Sequence, residues 1–372
     1  MQAPAVDAYF SHLTSLYRRQ PVAVVCVAHL VDTALHFLPA IDRLGELSLV
    51  LPKPNSIQPY VSTAIEEQYA VAPPLARSVA ADAEAVLRLL DTVVGARASF
   101  CLMDVGGYFA PALTALSRHY GSRLRGVVEG TENGVQKYEE LSTVPTALYS
   151  VARSPLKYPE NHLVGSGIVF SIEAVLREQG KVLQGLPATV IGYGPIGRAV
   201  AHSLRGRDLE VVIYDRDPIA LAEAAAHGFR IVRTTGDAIA DAMLVVCATG
   251  RSALRGPDFP QLRPGAYVAS VTSADDELAL DELEVGYTLT PAAAHLSRYR
   301  RNRHWFYLLN EGNAVNFLHG GVLGSAIHLI EGEKLACLHR VITTELQPGI
   351  SELSHSERAR VAEVWLRHFA PG

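Results

Sequence analysis

The sequence is poor in the features that mark secreted, membrane-spanning and nucleic-acid-binding proteins. Its 372 residues include only four cysteines, which lie far apart and show no metal-ligand spacing. We interpret them as small buried hydrophobic residues of a reducing compartment rather than as a disulfide framework. No apolar run reaches the roughly 18 residues of a membrane span. The N-terminus has neither the basic nor the apolar region of a signal peptide. These absences favour a cytoplasmic protein.

Charge excludes two further classes of partner. The net charge of −5 gives no electrostatic reason to expect nucleic acid or an anionic membrane. The basic cluster at residues 298–304 is interpreted as an exposed helix or loop face. A hydrophobic content of 49% and a charged content of 19% are typical of a globular protein. The length predicts two domains.

Apolar runs alternate with helix-like stretches along most of the chain, which predicts an α/β fold. The short apolar run at residues 21–28 is rich in valine and typical of a buried parallel strand. Further strands are predicted at 47–51, 99–104 and 125–129. We expect Pro52 and Pro54 to end the second of these runs, and residues 60–98 to be mostly helical. A long helix is predicted over about 164–180. Further strand-like runs follow later in the chain, at 244–250 and 266–271. Residues 326–345 are predicted to be helical.

The most informative segment is Thr189–Arg198, which reads as a buried strand, a Gly-x-Gly-x-x-Gly turn and the start of a helix. The first glycine permits the tight turn, the second lets a pyrophosphate approach the backbone, and the third lets the helix pack closely on the strand. The pyrophosphate would then lie at the helix N-terminus. The predicted cofactor-binding residues of this turn are Gly192, Gly194, Pro195, Ile196 and Gly197.

An acid stands where a ribose-binding carboxylate is expected. Asp215 follows a second strand-like run, roughly 20 residues beyond the turn. A carboxylate at this place accepts from the ribose 2′-hydroxyl and repels a 2′-phosphate. The complete pattern of strand, turn, helix, strand and acid therefore predicts binding of NAD rather than NADP. The alternative is a Rossmann-like domain with a repurposed groove.

Six segments, in one order along residues 20–345, resemble motifs of the S-adenosylhomocysteine hydrolase family. They are Cys26–His29, Leu102–Gly107, Gly126–Val135, Lys157–Gly165, Asp215–Pro218 and Asn310–Phe317. The resemblance implies a Rossmann NAD-binding domain, residues 165–323, inserted into an α/β substrate-binding domain, residues 1–164 and 324–372. It also implies a homo-oligomer. The active site would lie at the C-terminal ends of the strands.

The resemblance further implies a chemistry without net redox change. Family members oxidise a nucleoside 3′-hydroxyl with bound NAD, remove the acidified 4′-hydrogen, eliminate the 5′ substituent, add water and reduce the ketone. The candidate catalytic residues are His29, Asp104, Glu129, Lys157, Glu160 and Asn161. Lys157 would be the base for hydroxyl oxidation. The further candidate cofactor contacts are Thr131, Asn133, Thr249 and Asn316.

Several family residues are replaced in this chain. Val105 and Gly130 stand where the motifs Asp-Asp-Gly-Gly and Glu-Glu-Thr carry their second carboxylates, and Ser166 stands where the family has a cysteine. Residues 272–275 lack the histidine of a Gly-His-Phe-Asp loop, and no Lys/Tyr tail is visible at the C-terminus. The residues expected to bind NAD therefore match the family motifs better than those expected to bind the substrate. This difference predicts a changed substrate or a changed second step of the reaction.

Three functions remain open from the sequence. The first is a hydrolase, lyase or dehydratase that oxidises a nucleoside-like substrate transiently and eliminates or adds a group at its 5′ position. The second is an NAD-dependent dehydrogenase of another small hydroxy compound. The third is a non-catalytic NAD-binding regulator, which the replaced substrate residues would explain.

Overall fold

The computed structural model describes residues 3–95, 99–272, 277–283 and 286–370. The chain divides into two compact units. The first comprises residues 1–157 and 324–372, and the second, residues 158–323, interrupts it. Each unit contains a sheet of mostly parallel strands with helices, which confirms the predicted α/β class. None of the described helices is long and apolar enough to cross a membrane.

The first unit is built on six parallel strands. They are β1 (Ala23–Leu30), β2 (Glu46–Ile57), β3 (Phe100–Asp104), β4 (Leu124–Glu129), β5 (Ala147–Ser150) and β14 (Gly349–Ser351). Their spatial order is β14-β5-β4-β3-β1-β2, with every neighbouring pair parallel. The chain order reverses between β1 and β3. Ligands of open parallel sheets bind at such a switch point, beyond the C-terminal strand ends.

The prediction that Pro52 and Pro54 end the second strand is wrong. β2 continues through both prolines to Ile57, with Ala28 of β1 opposite Pro52. β2 is the last strand in the sheet order. A proline without an N–H is tolerated on an edge strand, because one side of that strand needs few ladder hydrogen bonds.

Helices cover both faces of this sheet. They are α1 (Ala3–Ser15), α2 (Ala34–Asp42), α3 (Pro59–Glu66), α4 (Arg77–Ala81), α5 (Ala83–Val94), α6 (Leu113–Tyr120), α7 (Glu132–Glu139), α12 (Ile327–Thr343) and α13 (His355–Phe369). Alternate residues of β1 enter two different cores, Val24 on one face and Val25 on the other. The helical region predicted at 60–98 is three helices, interrupted around Pro73 and Pro74. A proline disfavours helix at the residue before it, so the pair interrupts the helix there.

The second unit has an eight-stranded sheet. Its strands are β6 (Pro187–Ile191), β7 (Glu210–Tyr214), β8 (Arg230–Ile231), β9 (Leu244–Cys247), β10 (Ala266–Ser270), β11 (Thr288–Ala293), β12 (Leu296–Arg301) and β13 (His304–Leu309). The order is β11-β12-β13-β10-β9-β6-β7-β8. The six strands β6 to β10 and β13 have the 3-2-1-4-5-6 arrangement of a Rossmann sheet, with its switch point between β6 and β9.

The basic cluster at residues 298–304 is neither helix nor loop but part of an antiparallel hairpin. Arg298 and Arg300 on β12 lie opposite Tyr307 and Trp305 on β13. Asn302 makes the turn with a φ of +55°, a conformation that asparagine tolerates better than most residues. Arg298 and Arg300 are two residues apart and lie on the same face of the strand. We interpreted the segment as helix or loop because its composition is strongly basic.

The α-helices that the structure describes in the second unit are α8 (Tyr158–Glu178), α9 (Pro195–Arg205), α10 (Pro218–Ala226) and α11 (Thr235–Ile239). α8 begins about six residues before the predicted start. Pro159 and Glu160 in its first turn suit a helix N-terminus, because proline lacks an N–H that would be unpaired there and a carboxylate complements the dipole. All four cysteines of the chain are buried and free, as predicted.

Candidate functional site

The glycine-rich turn between β6 and α9 is closely packed at its first and third glycines. Gly192 has a φ of +98°, and a Cβ there would lie 2.6 Å from the carbonyl oxygen of Ala248. A Cβ on Gly197 would overlap the carbonyl oxygen of Gly192. The turn therefore requires glycine at both positions, as the sequence predicts.

Gly194 differs from these two glycines. A Cβ there would have no described atom within 4 Å, and the φ of −68° is accessible to any residue. Gly194 is the N-cap of α9 without a side-chain cap, Pro195 follows it, and the N–H groups of Ile196 and Gly197 lie in the first turn. The open space and the uncapped helix start fit a pyrophosphate.

Asp215 lies one residue beyond β7 and is tied to the same turn. Its Oδ2 accepts from the backbone N–H of Tyr193 at 2.6 Å, and its Oδ1 accepts from that of Asp217 at 2.9 Å. The carboxylate is partly exposed. The two hydrogen bonds fix its position beside the turn, and its role toward a ribose hydroxyl stays a prediction.

Thr249 and Gly250 follow β9 at the opposite side of the switch point, and the sequence did not indicate their partner. Glu277 accepts from Thr249 Oγ1 and from the N–H of Gly250, each at 2.7 Å. Burial raises the pKa of Glu277 to about 7, against the opposing effect of these hydrogen bonds. No motif singles out this glutamate. Residues 273–275, part of the loop compared in sequence, lie outside the described residues.

We expect Glu277 to make the stability of the second unit depend on pH. Its folded pKa is above that of an unfolded glutamate, so the folded state holds a proton that the unfolded state releases. Stability should therefore fall by about 3 kcal/mol as pH rises from about 4.5 to 7. In Glu277→Gln this contribution disappears, so the variant should gain on the wild type with rising pH. Urea unfolding at pH 5 to 8, with the exposed Glu178→Gln as control, measures the difference; parallel pH profiles would contradict it.

Asn316 carries an unpaired buried acceptor. It lies in the short 3₁₀ helix Val315–His319, not at a helix N-cap. Its Oδ1 is buried and has no hydrogen-bond partner among the described residues. A buried amide oxygen costs free energy unless a donor satisfies it. A carboxamide N–H of a bound nicotinamide would be such a donor, so the residue fits the predicted cofactor contact.

In the first unit, His29 lies at the C-terminal end of β1 and is oriented by Ser56. Its Nδ1 is 2.6 Å from Ser56 Oγ, which donates to the carbonyl oxygen of Lys53 at 3.1 Å. With the hydroxyl proton used in this way, Nδ1 donates to Ser56 and Nε2 keeps its lone pair. Burial, followed by the charges of Lys53, Lys334 and Lys157, holds the pKa of His29 well below its usual value. The ring is therefore neutral.

Asp104 ends β3, and its carboxylate is saturated by the turn that follows. Oδ1 accepts from the N–H groups of Val105 and Tyr108. Oδ2 accepts from the N–H of Phe109 and from the Tyr138 hydroxyl at 2.6 Å. These four donors show that Asp104 shapes the end of the strand; a substrate contact stays a prediction.

Glu129 ends β4 opposite Asp104 and has a similar structural role. It accepts from the N–H groups of Gly106 and Gly107 and from both the N–H and hydroxyl of Thr131. Burial and the charge of Asp104 raise the pKa of Glu129. Thr131 also caps α7 through the N–H of Gly134, and Asn133 lies in the first turn of that helix.

The remaining candidates belong to different units. Lys157 ends the 3₁₀ helix Pro155–Lys157 of the first unit and is buried. Glu160 and Asn161 belong to the first turn of α8 in the second unit, where Asn161 is buried. The structure thus brings His29, Asp104 and Glu129 to adjacent strand ends of one sheet. The described residues contain no group of three or more metal-ligating side chains.

Comparisons with known proteins found one matching family and several relatives. Residues 168–322 match the family described as S-adenosyl-L-homocysteine hydrolase, NAD binding domain. The chain is 26% identical to an adenosylhomocysteinase of Archaeoglobus fulgidus over 291 residues, 77% of this chain and 70% of the relative. It is 24% identical to an S-inosyl-L-homocysteine hydrolase of Methanopyrus kandleri, covering 66% and 59% of the two chains. A phosphoglycerate oxidoreductase structure from Vibrio cholerae superposes with a TM-score of 0.40 at 10% identity, covering 71% of this chain and 79% of that chain.

Proposed function

We infer the reaction of this NAD-dependent enzyme from its family. Residues 168–322 are an NAD-binding domain of the S-adenosyl-L-homocysteine hydrolase type, and the chain is a divergent relative of the adenosylhomocysteinases. It oxidises a secondary hydroxyl of a nucleoside-like substrate transiently, and a group is then eliminated or added at the adjacent 5′ position. The similarity to adenosylhomocysteinases over about three quarters of the chain is the observation that carries this proposal.

The second unit has the groups that NAD requires. The open space at Gly194 and the N–H groups at the start of α9 would hold the pyrophosphate. Asp215 would accept from a ribose hydroxyl, and the unpaired Oδ1 of Asn316 would accept from the nicotinamide amide. When bound, NAD would accept a hydride from a substrate carbon and return it at the end of the cycle.

The first unit would supply proton transfer. We assign Lys157 as the base that takes the proton of the hydroxyl being oxidised. We assign to His29, at the C-terminal end of β1, the acceptance of a second proton from the carbon beside the resulting ketone. Asp104 and Glu129 accept hydrogen bonds from backbone N–H groups of the turn that contains Gly106 and Gly107. We therefore assign them the role of shaping the substrate end of the sheet.

The enzyme should prefer NAD to NADP. Asp215 is fixed beside the turn, where its charge repels a 2′-phosphate. Asp215→Ser should weaken NAD binding and narrow the preference for NAD over NADP, because a serine hydroxyl carries no charge that repels the 2′-phosphate. Asp217→Asn is the matched control, since either residue can cap α10. Calorimetry that gave tighter NADP binding in the wild type would contradict the assignment.

The reaction is tested by mixing the isolated protein with adenosine-type nucleosides and recording mass spectra and absorbance at 340 nm. The proposal predicts NAD that co-purifies, a transient rise at 340 nm, and products of elimination or addition without net NADH. The alternative, an NAD-dependent dehydrogenase of another small hydroxy compound, predicts NADH in stoichiometric amount and no loss of a 5′ substituent.

We expect weak or no conversion of S-adenosylhomocysteine to adenosine and homocysteine. The motif positions Val105 and Gly130 lack carboxylates, which argues for a changed leaving group or second step. A rate equal to that of the adenosylhomocysteinases would overturn this part of the proposal. A homo-oligomer and a cytoplasmic location remain expectations; light scattering at about 40 kDa would contradict the first.

A further inference from the structure

The loop that follows β9 lies directly against the glycine-rich turn between β6 and α9. A Cβ on Gly192 would lie 2.6 Å from the carbonyl oxygen of Ala248 and 3.0 Å from the backbone nitrogen of Thr249. A Cβ on Gly197 would lie 3.3 Å from the Cβ of Ala248. Both glycines belong to the turn that fits a pyrophosphate. A shift of this loop would therefore disturb the turn itself.

Glu277 fixes the same loop at both of its ends. Its buried side chain accepts from Thr249 Oγ1 and from the N–H of Gly250, each at 2.7 Å. Its backbone carbonyl oxygen accepts from the N–H of Ala253 at 2.6 Å and from that of Leu254 at 3.3 Å. One glutamate thus determines where the end of β9 and the residues after it lie.

The hydroxyl group of Thr249 faces two acceptors but has one proton. Its Oγ1 lies within hydrogen-bonding distance of Glu277 Oε2 and of the carbonyl oxygen of Arg251, and it also accepts from the N–H of Arg251. The single proton of Thr249 cannot serve both acceptors at once. A neutral Glu277 resolves the conflict: it donates from Oε2 to Thr249, Thr249 donates to Arg251, and Oε1 still accepts from Gly250.

The surroundings of Glu277 favour the same neutral form. Burial is the largest cause of its raised pKa, and hydrogen bonds from Gly250, Thr249 and Thr272 oppose it. Burial also raises the pKa of Cys247 well above its usual value, so that thiol stays neutral. The charged residues on the described segments around Glu277 are Arg251, Arg255, Asp258, Asp281 and Glu282. A change of charge at this loop near pH 7 is therefore assigned to Glu277.

We propose that Glu277 is a positioning residue of the NAD site, which holds Thr249 and Gly250 against the glycine-rich turn and favours cofactor binding in its neutral form. The proton count at Thr249 supports this direction. The pyrophosphate supports it too, because its negative charge at the same turn disfavours a second, buried negative charge. The inference concerns cofactor binding alone and does not depend on the proposed reaction.

Titration calorimetry of NAD into the full-length protein, freed of bound cofactor, tests the inference between pH 6 and 8.5. The pKa of Glu277 is about 7 in the protein without cofactor. NAD that prefers the neutral form raises this pKa, so binding takes up a proton and the affinity falls as pH rises above about 7. A rise of about one pKa unit corresponds to about a tenfold loss of affinity. Titrations in buffers of different ionisation enthalpy measure the proton uptake directly.

Three variants separate charge from packing. Glu277→Gln donates to Thr249 and accepts from Gly250 as the neutral acid does, so it should bind NAD at every pH as tightly as the wild type at pH 6, without proton uptake. Glu277→Ala should bind about tenfold more weakly than the wild type at pH 6, because the loop loses its side-chain hydrogen bonds. Glu282→Gln is the matched control, since exposed Glu282 accepts from the N–H of Gly256 at 2.5 Å, and it should follow the wild-type profile.

Circular dichroism and urea unfolding show whether each variant is folded; if Glu277→Ala is not, the comparison of the wild type with Glu277→Gln decides. Wild-type affinity that is constant from pH 6 to 8.5 would overturn the inference. The same holds for a pH profile and proton uptake that persist in Glu277→Gln, or for wild-type affinity in folded Glu277→Ala. Because no substrate is present, these results leave the proposed reaction untouched, and failure to find that reaction leaves the role of Glu277 standing.

Discussion

Gly194→Val should fold like the wild type and lose NAD binding, with affinity reduced by about 100-fold or more. The Cβ of residue 194 would meet no described atom, and the φ of −68° with a ψ of −174° suits valine. The branched side chain would instead fill the space through which a pyrophosphate approaches the helix N-terminus. Titration calorimetry measures the affinity, and thermal unfolding without cofactor shows that the stability is kept within about 1 kcal/mol, the cost of a poor N-cap.

Two glycines of the same segment serve as controls. Gly197→Ala should lose NAD binding and stability together, because its Cβ would overlap the carbonyl oxygen of Gly192. Gly206→Val, at the other end of α9, should keep both, since a Cβ there makes only ordinary contacts at 3.4 and 3.6 Å. Normal NAD affinity in Gly194→Val would refute the placement of the pyrophosphate.

Lys157→Ala should keep NAD binding and lose the transient absorbance at 340 nm when the substrate is added. Removing a general base from a hydroxyl oxidation slows the step by about 10²–10⁴-fold, and Lys157 does not belong to the nucleotide-binding unit. Stopped-flow absorbance on the NAD-loaded enzyme measures the rate of the change at 340 nm. Calorimetry measures the affinity for NAD.

Lys157→Arg separates proton transfer from packing. Arginine keeps the charge and most of the length but does not release its proton at accessible pH. A structural role would be rescued by arginine, whereas a base would not. Lys181→Ala, the exposed lysine of the second unit, is the matched control. If Lys157→Ala reduces bound NAD at the normal rate, Lys157 is not the base.

The glycine-rich turn between β6 and α9 could be predicted in detail because its determinants are local. Gly192, Gly194 and Gly197 act within one strand–helix connection, and Asp215 ends the next strand of the same unit. Backbone conformation and close approach depend there on residues a few positions apart. The alternation of strands and helices, and the burial of the cysteines, follow from periodicity for the same reason.

The continuation of β2 through its prolines was decided by position in the sheet. Pro52 and Pro54 are tolerated because β2 is an edge strand, and the order of strands is not written in any one segment. The arginine-rich strand β12 was also decided by tertiary structure. Its pairing with β13 outweighs a composition that is more typical of a loop.

The candidate substrate site was the least predictable part. The sequence named His29, Asp104 and Glu129 one by one, but only the adjacency of their strands brings them together. The sequence could not show that the carboxylate oxygens of Asp104 and Glu129 accept hydrogen bonds from backbone N–H groups. Those donors belong to turns that form only when the chain is folded.

The sequence by itself therefore determined the local turns and the candidate residues. The tertiary structure decided the electrostatic environment of those residues. Gly130 shows in sequence only the loss of a carboxylate, while in the fold Lys334, about 200 residues away, fills its place. Glu277 is an ordinary acid until burial beside Gly250 raises its pKa to about 7. The electrostatic field at a point depends on which distant side chains surround it and on how much water they exclude, and both are set only when the chain is folded.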